Sequence, residues 1–284
     1  MKRGYVETQY GQMHYAEAGQ GASLVMLHPA PKSSRAFAQV QPLLARHFRC
    51  IALDQHGFGN SDPAPDGVRF EELARTVTQA MDALGVAKAH VYGVHTGFHI
   101  ATALAVAFPD RVDRLVASGM THSLVVDQKV RNAAVHAVVA NFKRFDETAD
   151  EGELMRQWAT FFTTLTGTWW DTRVMGFRHT GIRRFQHLES RAMDLLQCRL
   201  GMFGSVQAVY AHDIEQKLLA MTQPALVIEI ATPQEAHFGR QGPEWMKRLK
   251  RGEFYTTETL DPHLMAQDID ELAEVITRFL TKPL

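Results

Sequence analysis

Short apolar runs alternate with stretches of helical period over the first part of the chain. Tyr5–Gln9 and Gln12–Ala16 alternate polar and apolar residues on either side of Tyr10-Gly11, which predicts a β-hairpin. Ser23–Leu27, Phe48–Leu53, the run opening at Ala89, and Val112–Ser118 are apolar and of strand length. Arg35–Leu44 can form a helix. Glu71–Leu84 sets Leu73, Val77, Ala80, Met81 and Leu84 at helical spacing and stops at Gly85, a suitable C-cap. Strands alternating with helices imply right-handed crossovers and a parallel sheet covered on both faces, an α/β doubly wound class.

From Thr121 to His212 this alternation lapses. Helical stretches take over at Asp127–Phe145, Glu151–Leu165, Thr168–Phe177 and Glu189–Leu200. Three of the four tryptophans, Trp158, Trp169 and Trp170, fall in this segment. The pattern predicts a helical lid at 121–212 inserted into a core made of 1–120 and 213–284. Large apolar residues mostly pack against one another, so the aromatics are first the lid's own core, with Trp158 and Trp169 as the candidates for substrate contact. Alternation then resumes with a strand at Ala225–Ile230, a helix at Gly242–Lys250, a strand at Glu253–Thr257 and a closing helix at Met265–Leu280.

The most informative stretch runs from Ala89 to Ala101. Gly93 and Gly97 stand four apart and are followed by an apolar run, Ile100–Phe108, that ends at Pro109. Strand, pinched turn, helix is the context in which a nucleophile elbow lifts one side chain above a parallel sheet, and the glycines are needed because the turn is strained and closely packed. Ser usually holds the middle of this motif. Here His95 does.

Composition narrows the partners more than the chemistry. Of 284 residues, 45% are hydrophobic and 21% charged, ordinary for a globular chain with a sizeable core. A net charge of −1 gives no reason to expect nucleic acid or an anionic membrane as partner, and leaves a small-molecule substrate. Two cysteines far apart, Cys50 and Cys198, argue against a disulfide framework or zinc knuckle and fit a reducing cytosol. The N-terminal residues lack an apolar leader core and no 18-residue apolar run occurs, so a cytoplasmic location is expected. A homodimer is left open.

Four landmarks in order carry a family resemblance. They are Leu27-His28-Pro29-Ala30-Pro31, the turn-rich loop from Asp54 to Asp62, the turn Gly93–Gly97, and Leu260-Asp261-Pro262-His263 ahead of the last helix. Together they resemble the α/β-hydrolase superfamily, in its lidded branch of dehalogenases, epoxide hydrolases, esterases and carbon–carbon bond hydrolases. The first stands where that family has H-G-x-P, the second matches D-x-x-G-x-G-x-S-D almost completely, and the likeness covers almost the whole chain. The resemblance implies an α/β-hydrolase fold with a helical lid, although a fold does not itself specify an activity.

The family's chemistry transfers unevenly. The resemblance implies His263 as general base and the N–H groups of Ala30 and Thr96 as the oxyanion hole. His95 departs from it. An imidazole there can attack a carbonyl carbon, act as a base toward water or a substrate proton, or merely fill the pocket of a site that has lost its reaction. Pro233 occupies the place of the family's acid, so Glu235, two residues on, is the candidate orienter of His263, while Glu229 lies within a strand. Asp54 and Asp62 are read as holding the glycine loop by hydrogen bonds. His28, His95 and His263 should project into one cleft with His122 nearby, which makes His28 and His122 candidate substrate contacts. No ligand spacing supports a metal among these imidazoles, and no cofactor is expected. The expected function is hydrolysis of a small ester, lactone or similar acyl compound. The alternatives are a cofactor-free lyase or oxygenase on the same scaffold, and a catalytically silent ligand-binding protein.

Overall fold

The computed structural model describes residues 1–119, 148, 150–156, 193–194, 196–198, 204–205, 208–209, 211–230, 241–257 and 269–283. Within them runs an eight-stranded sheet. Its strands are β1 (Lys2–Thr8), β2 (Gly11–Ala18), β3 (Ser23–Leu27), β4 (Arg49–Leu53), β5 (Ala89–Val94), β6 (Val112–Ser118), β7 (Ala225–Ile230) and β8 (Gly252–Thr257). They lie in the order β1-β2-β4-β3-β5-β6-β7-β8. The β1–β2 and β2–β4 pairs are antiparallel and the rest parallel.

Alternate residues of the central strands feed two separate cores. Val25, Leu27, Ile51, Leu53 and Val91 pack on one face with helices α2 (Phe70–Ala83) and α3 (Thr96–Ala107). Leu24, Met26, Cys50, Ala52 and Tyr92 pack on the other with α1 (Gln41–Leu44) and α6 (Ile269–Leu280). Burial of both faces is why these strands read as unbroken apolar runs. Two shorter helices, α4 (Ile214–Ala220) and α5 (Gly242–Arg248), precede β7 and β8. Arg114 on β6 reaches the end of α6, where its guanidinium donates to the carbonyls of Phe279, at 2.9 Å, and Lys282. A cation there complements the carbonyl end of the helix dipole.

The sheet departs from the expected elements in two places. In place of one helix over Arg35–Leu44 there is a 3₁₀ turn at Ser34–Phe37 and then α1. Pro42 explains the break, since it has no N–H to give Ala38 and its ring would meet that carbonyl in a continuous helix. The hairpin turns at Gln9-Tyr10 rather than Tyr10-Gly11, because Thr8 already pairs with Gly11. Gly11 sits at φ 97° with the Asp62 carboxylate so close that a Cβ would come within 2.4 Å of it. The expected lid at 121–212 falls largely outside the described residues, although residues 151–156 are helical. Residues 265–268 of the expected last helix lie outside them too.

Strand order determines where a site can form. The chain passes from β3 to β4 on one side, then returns to lay β5 on the other. The loops after β3 and β5 therefore diverge and leave a crevice at the carboxyl ends of the strands, the place where open parallel sheets bind ligands. Ala30 follows β3 and His95 follows β5.

Candidate active site at the switch point

Close backbone packing forces the turn after β5. A Cβ on Gly97 would lie 2.0 Å from the carbonyl oxygen of Leu27, and one on Gly93 would lie 2.4 Å from that of Gly97. Helix α3 thus rests on the end of β3 with no room for a side chain between them. The chain can enter the helix only through a sharp turn, and His95 takes the strain at φ 45°, ψ −111°. It is the one non-glycine residue with positive φ among the described residues. Strain of this kind costs about 1–3 kcal/mol and persists where the surroundings over-determine it. The His95 N–H donates to the Ser118 carbonyl at 2.9 Å, which anchors the elbow to the end of β6. Its imidazole is half-buried and lies over Gly119, where a Cβ would come within 2.7 Å of Cε1 and Nε2.

The two expected oxyanion donors are neighbours. Thr96 opens α3, so its N–H is one of those a helix leaves without an intrahelical acceptor. The Ala30 N–H donates to Thr96 Oγ1 at 3.3 Å, a long bond that a ligand oxygen can replace.

His28 does not project into the cleft as expected. It is fully buried, and its Nε2 accepts from the Gln55 N–H at 3.0 Å. The ring proton therefore sits on Nδ1, which donates to the Pro29 carbonyl at 3.0 Å. Burial lowers the His28 pKa, so the ring is a neutral brace between two loops. Asp54 does hold the glycine loop. It is buried and accepts from His14 Nδ1 at 2.9 Å, Ser34 N–H at 2.6 Å and Asn60 N–H at 2.9 Å. Burial alone would raise its carboxyl, but the hydrogen bonds from His14 and the two N–H donors together hold it well below the usual range. Asp62 accepts from the Gln12 N–H at 2.8 Å. Glu229 accepts from the N–H groups of Gln241 and Gly242 at the start of α5, so it is committed to the scaffold. His122, Trp158, Trp169, Glu235 and His263 lie outside the described residues.

Two arrangements had no signal in the sequence. Asp194 accepts hydrogen bonds from Ser33 and Arg35 in the loop after β3. On α3 (His99) and just before α4 (His212), two Nδ1 atoms are 3.0 Å apart. Both rings are buried, and Phe70 packs 5.2 Å from each. His99 thus lies in the core, packed against Phe70 and His212.

Burial pulls the His212 pKa from 6.5 to about 4, with Lys217 adding to the fall and Glu71 and Asp213 opposing it. The folded pKa lies below the unfolded one, so between those values the unfolded chain binds a proton that the folded chain refuses. Stability is expected to drop as pH falls from about 6.5 and to stop dropping, for this residue, near 4. The loss is about 3 kcal/mol. Buried His28, His56 and His90 shift in the same direction and add to the slope. Urea unfolding at pH 7.5 and 4.5 checks this, with His212→Gln expected to flatten the difference. An unchanged difference in that variant would remove His212 from the account.

Comparison with known proteins agrees with this fold. Residues 22–191, more than half of the chain, match the family model described as alpha/beta hydrolase fold. A 2-hydroxy-6-oxononadienedioate/2-hydroxy-6-oxononatrienedioate hydrolase of Paraburkholderia xenovorans is 42% identical over 114 residues, a stretch covering 38% of this chain and 39% of that relative. The matched stretch is therefore well under half the length of the curated relative. Among solved structures, a hydrolase from Pseudomonas aeruginosa superposes with TM-score 0.74 at 22% identity, covering 99% of this chain and 98% of the other. The enol-lactonase from Burkholderia xenovorans superposes with TM-score 0.71 at 17% identity, covering 98% of this chain and all of that one. At such identities the likeness concerns the fold. No helix among the described residues is long and apolar enough to cross a membrane. With the family model matched over more than half of the chain, and a strained strand-to-helix turn at the switch point of its sheet, the chain belongs to the α/β-hydrolase fold family.

Proposed function

We propose that this chain is a hydrolase of a small, partly apolar acyl compound, with His95 as a working base at the elbow. The observation that carries this reading is the strained backbone of His95, in the turn directly before Thr96, whose Oγ1 accepts from the Ala30 N–H. A protein with no use for that side chain could relax the strain with glycine. The names of the relatives support hydrolysis and supply the first substrate to try, a 2-hydroxy-6-oxo dienedioate.

In this reading the neutral His95 ring takes a proton from water. The resulting hydroxide adds to the substrate carbonyl carbon, and the carbonyl π electrons move onto oxygen, where the Thr96 and Ala30 N–H groups receive the charge. As the tetrahedral centre collapses, the bond to the leaving group breaks, and the leaving group takes a proton from an imidazolium. His263 is the second base of the proposed set and Glu235 its orienter. The stretch 121–212 serves as a lid that closes over the substrate and provides contacts through Trp158, Trp169 and His122. The reaction asks for no metal or cofactor, and the whole process takes place in the cytoplasm.

The test is turnover of the dienedioate and of a panel of activated esters and lactones by the wild type, His95→Ala, His95→Ser and His263→Ala. The wild type is expected to be active, and each alanine variant to fall by about 10²-fold or more. Turnover by His95→Ser alone would mean that the natural protein does something other than acyl hydrolysis. Full activity in His95→Ala would reduce the imidazole to a pocket filler.

A further inference from the structure

We propose that Asp194 is a positioning residue for the oxyanion loop, holding the residues that aim the Ala30 N–H. The inference rests on the reading of Ala30 as an oxyanion donor but is carried by contacts of its own.

Asp194 is buried, 3% exposed, although it carries a carboxylate. Its Oδ1 accepts from Ser33 Oγ at 2.8 Å, from Arg35 Nη2 at 2.7 Å and from Arg35 Nε at 3.2 Å. The same Arg35 Nη2 donates to Gln197 Oε1 at 2.5 Å, and Gln197 Nε2 donates to Asn60 Oδ1 at 3.3 Å in the glycine loop. A charge taken out of water to this degree is tolerated only with a partner of opposite sign and further hydrogen bonds. Here the partners, Ser33 and Arg35, both belong to the loop at the carboxyl end of β3.

The position of these contacts along the loop gives them their meaning. The Ser34 N–H donates to Asp54 Oδ1 at 2.6 Å, so residues 33–35 are gripped between a carboxylate of the core and one from the stretch 121–212. A tight turn leads back from there to Ala30, with the Lys32 N–H donating to the Pro29 carbonyl at 2.8 Å. At its other end the loop is held by the bond from Ala30 to Thr96. Asp54, Asp194 and Thr96 thus over-determine a segment of about six residues whose one proposed chemical task is to present an N–H. Asp54 and Thr96 belong to the core itself. Asp194, 161 positions further along the chain than Ser33, adds a grip from outside the loop on the residues that aim that N–H.

Two readouts on the full-length protein test this. Hydrogen–deuterium exchange is compared between the wild type, Asp194→Ala, Asp194→Asn and Arg35→Lys. In Asp194→Ala the amides of residues 30–37 are expected to exchange at least 10-fold faster while those of Ala225–Ile230 keep their rates. Asp194→Asn and Arg35→Lys, which keep part of the hydrogen bonding, should fall between. On a substrate the wild type hydrolyses, kcat of Asp194→Ala should drop about 10- to 100-fold at nearly constant KM, since a displaced donor is missed most in the transition state. Unchanged exchange at residues 30–37, or a loss confined to KM, overturns the proposal. If Asp194→Ala does not fold, Asp194→Asn and Arg35→Lys decide it by the same two criteria. If the wild type hydrolyses nothing, the functional reading fails while the exchange result still decides whether Asp194 orders the loop.

Discussion

Gly97→Ala is expected to destabilise the protein by about 3 kcal/mol or more and to remove whatever activity the elbow supports. On local grounds alone the substitution should help, because alanine is favoured over glycine inside a helix by about 1 kcal/mol. Close packing reverses the sign. The new Cβ would lie 2.0 Å from the Leu27 carbonyl oxygen, 2.5 Å from its carbon and 2.9 Å from the His28 oxygen. All three are backbone atoms of β3 and the loop it feeds, so no side chain can swing aside. Relief requires α3 to lift from β3, which separates Thr96 from Ala30 and strains the shared core of Leu27, Phe98 and Ala101. Overpacking at a site able to yield costs about 1–3 kcal/mol, and this one is less able to yield than most. Gly85→Ala is the control. It carries the backbone strain of φ 68° but has nothing within 4 Å of its added Cβ, so its cost should stay near 1 kcal/mol. Thermal unfolding of the two variants beside the wild type is the measurement. A Gly97→Ala protein as stable as Gly85→Ala would mean that α3 can stand off the sheet without penalty.

The same contact shows why the scaffold could be read without a structure. Gly93 and Gly97 are spaced by a steric demand between consecutive elements, and a demand that local leaves a mark on the sequence. The strands are marked for a similar reason, since burial on both faces leaves no polar positions in Leu24–Leu27 or Val91–Val94. Asp54 was readable as a loop holder because it accepts from Asn60, six residues on. His28 was not, because its orientation is settled by the Gln55 backbone arriving on another strand's loop. Asp194 bonds to Ser33 across 161 positions and His99 to His212 across 113, and no periodicity or spacing encodes such pairs. Local sterics and burial therefore located the crevice and its elbow. The groups that lock the loops around it are tertiary and had to be seen.

His95→Gly is expected to be more stable than His95→Ala by about 1 kcal/mol while losing as much activity, about 10²- to 10⁴-fold. The reasoning turns on what each substitution removes. Both delete the imidazole and its contact over Gly119. Alanine keeps a Cβ in a backbone conformation, φ 45° and ψ −111°, that side chains rarely adopt, so the strain stays. Glycine reaches such conformations freely and releases it, at a cost in unfolded-state entropy of about 0.5–1 kcal/mol that offsets part of the gain. With about 1–3 kcal/mol stored at a strained functional residue, the balance favours glycine. Midpoints of urea unfolding for the two variants give the difference directly, and turnover of any substrate found for the wild type gives the other half. Equal midpoints would show that the strain is not borne by residue 95, and the reason for regarding its histidine as a working group would go with it. Activity surviving in the glycine variant would be more damaging, because water, the two N–H donors and His263 would then suffice without the elbow imidazole. The expected outcome, a more stable protein that no longer turns over, would identify His95 as the point where the fold gives up stability to hold a base in place.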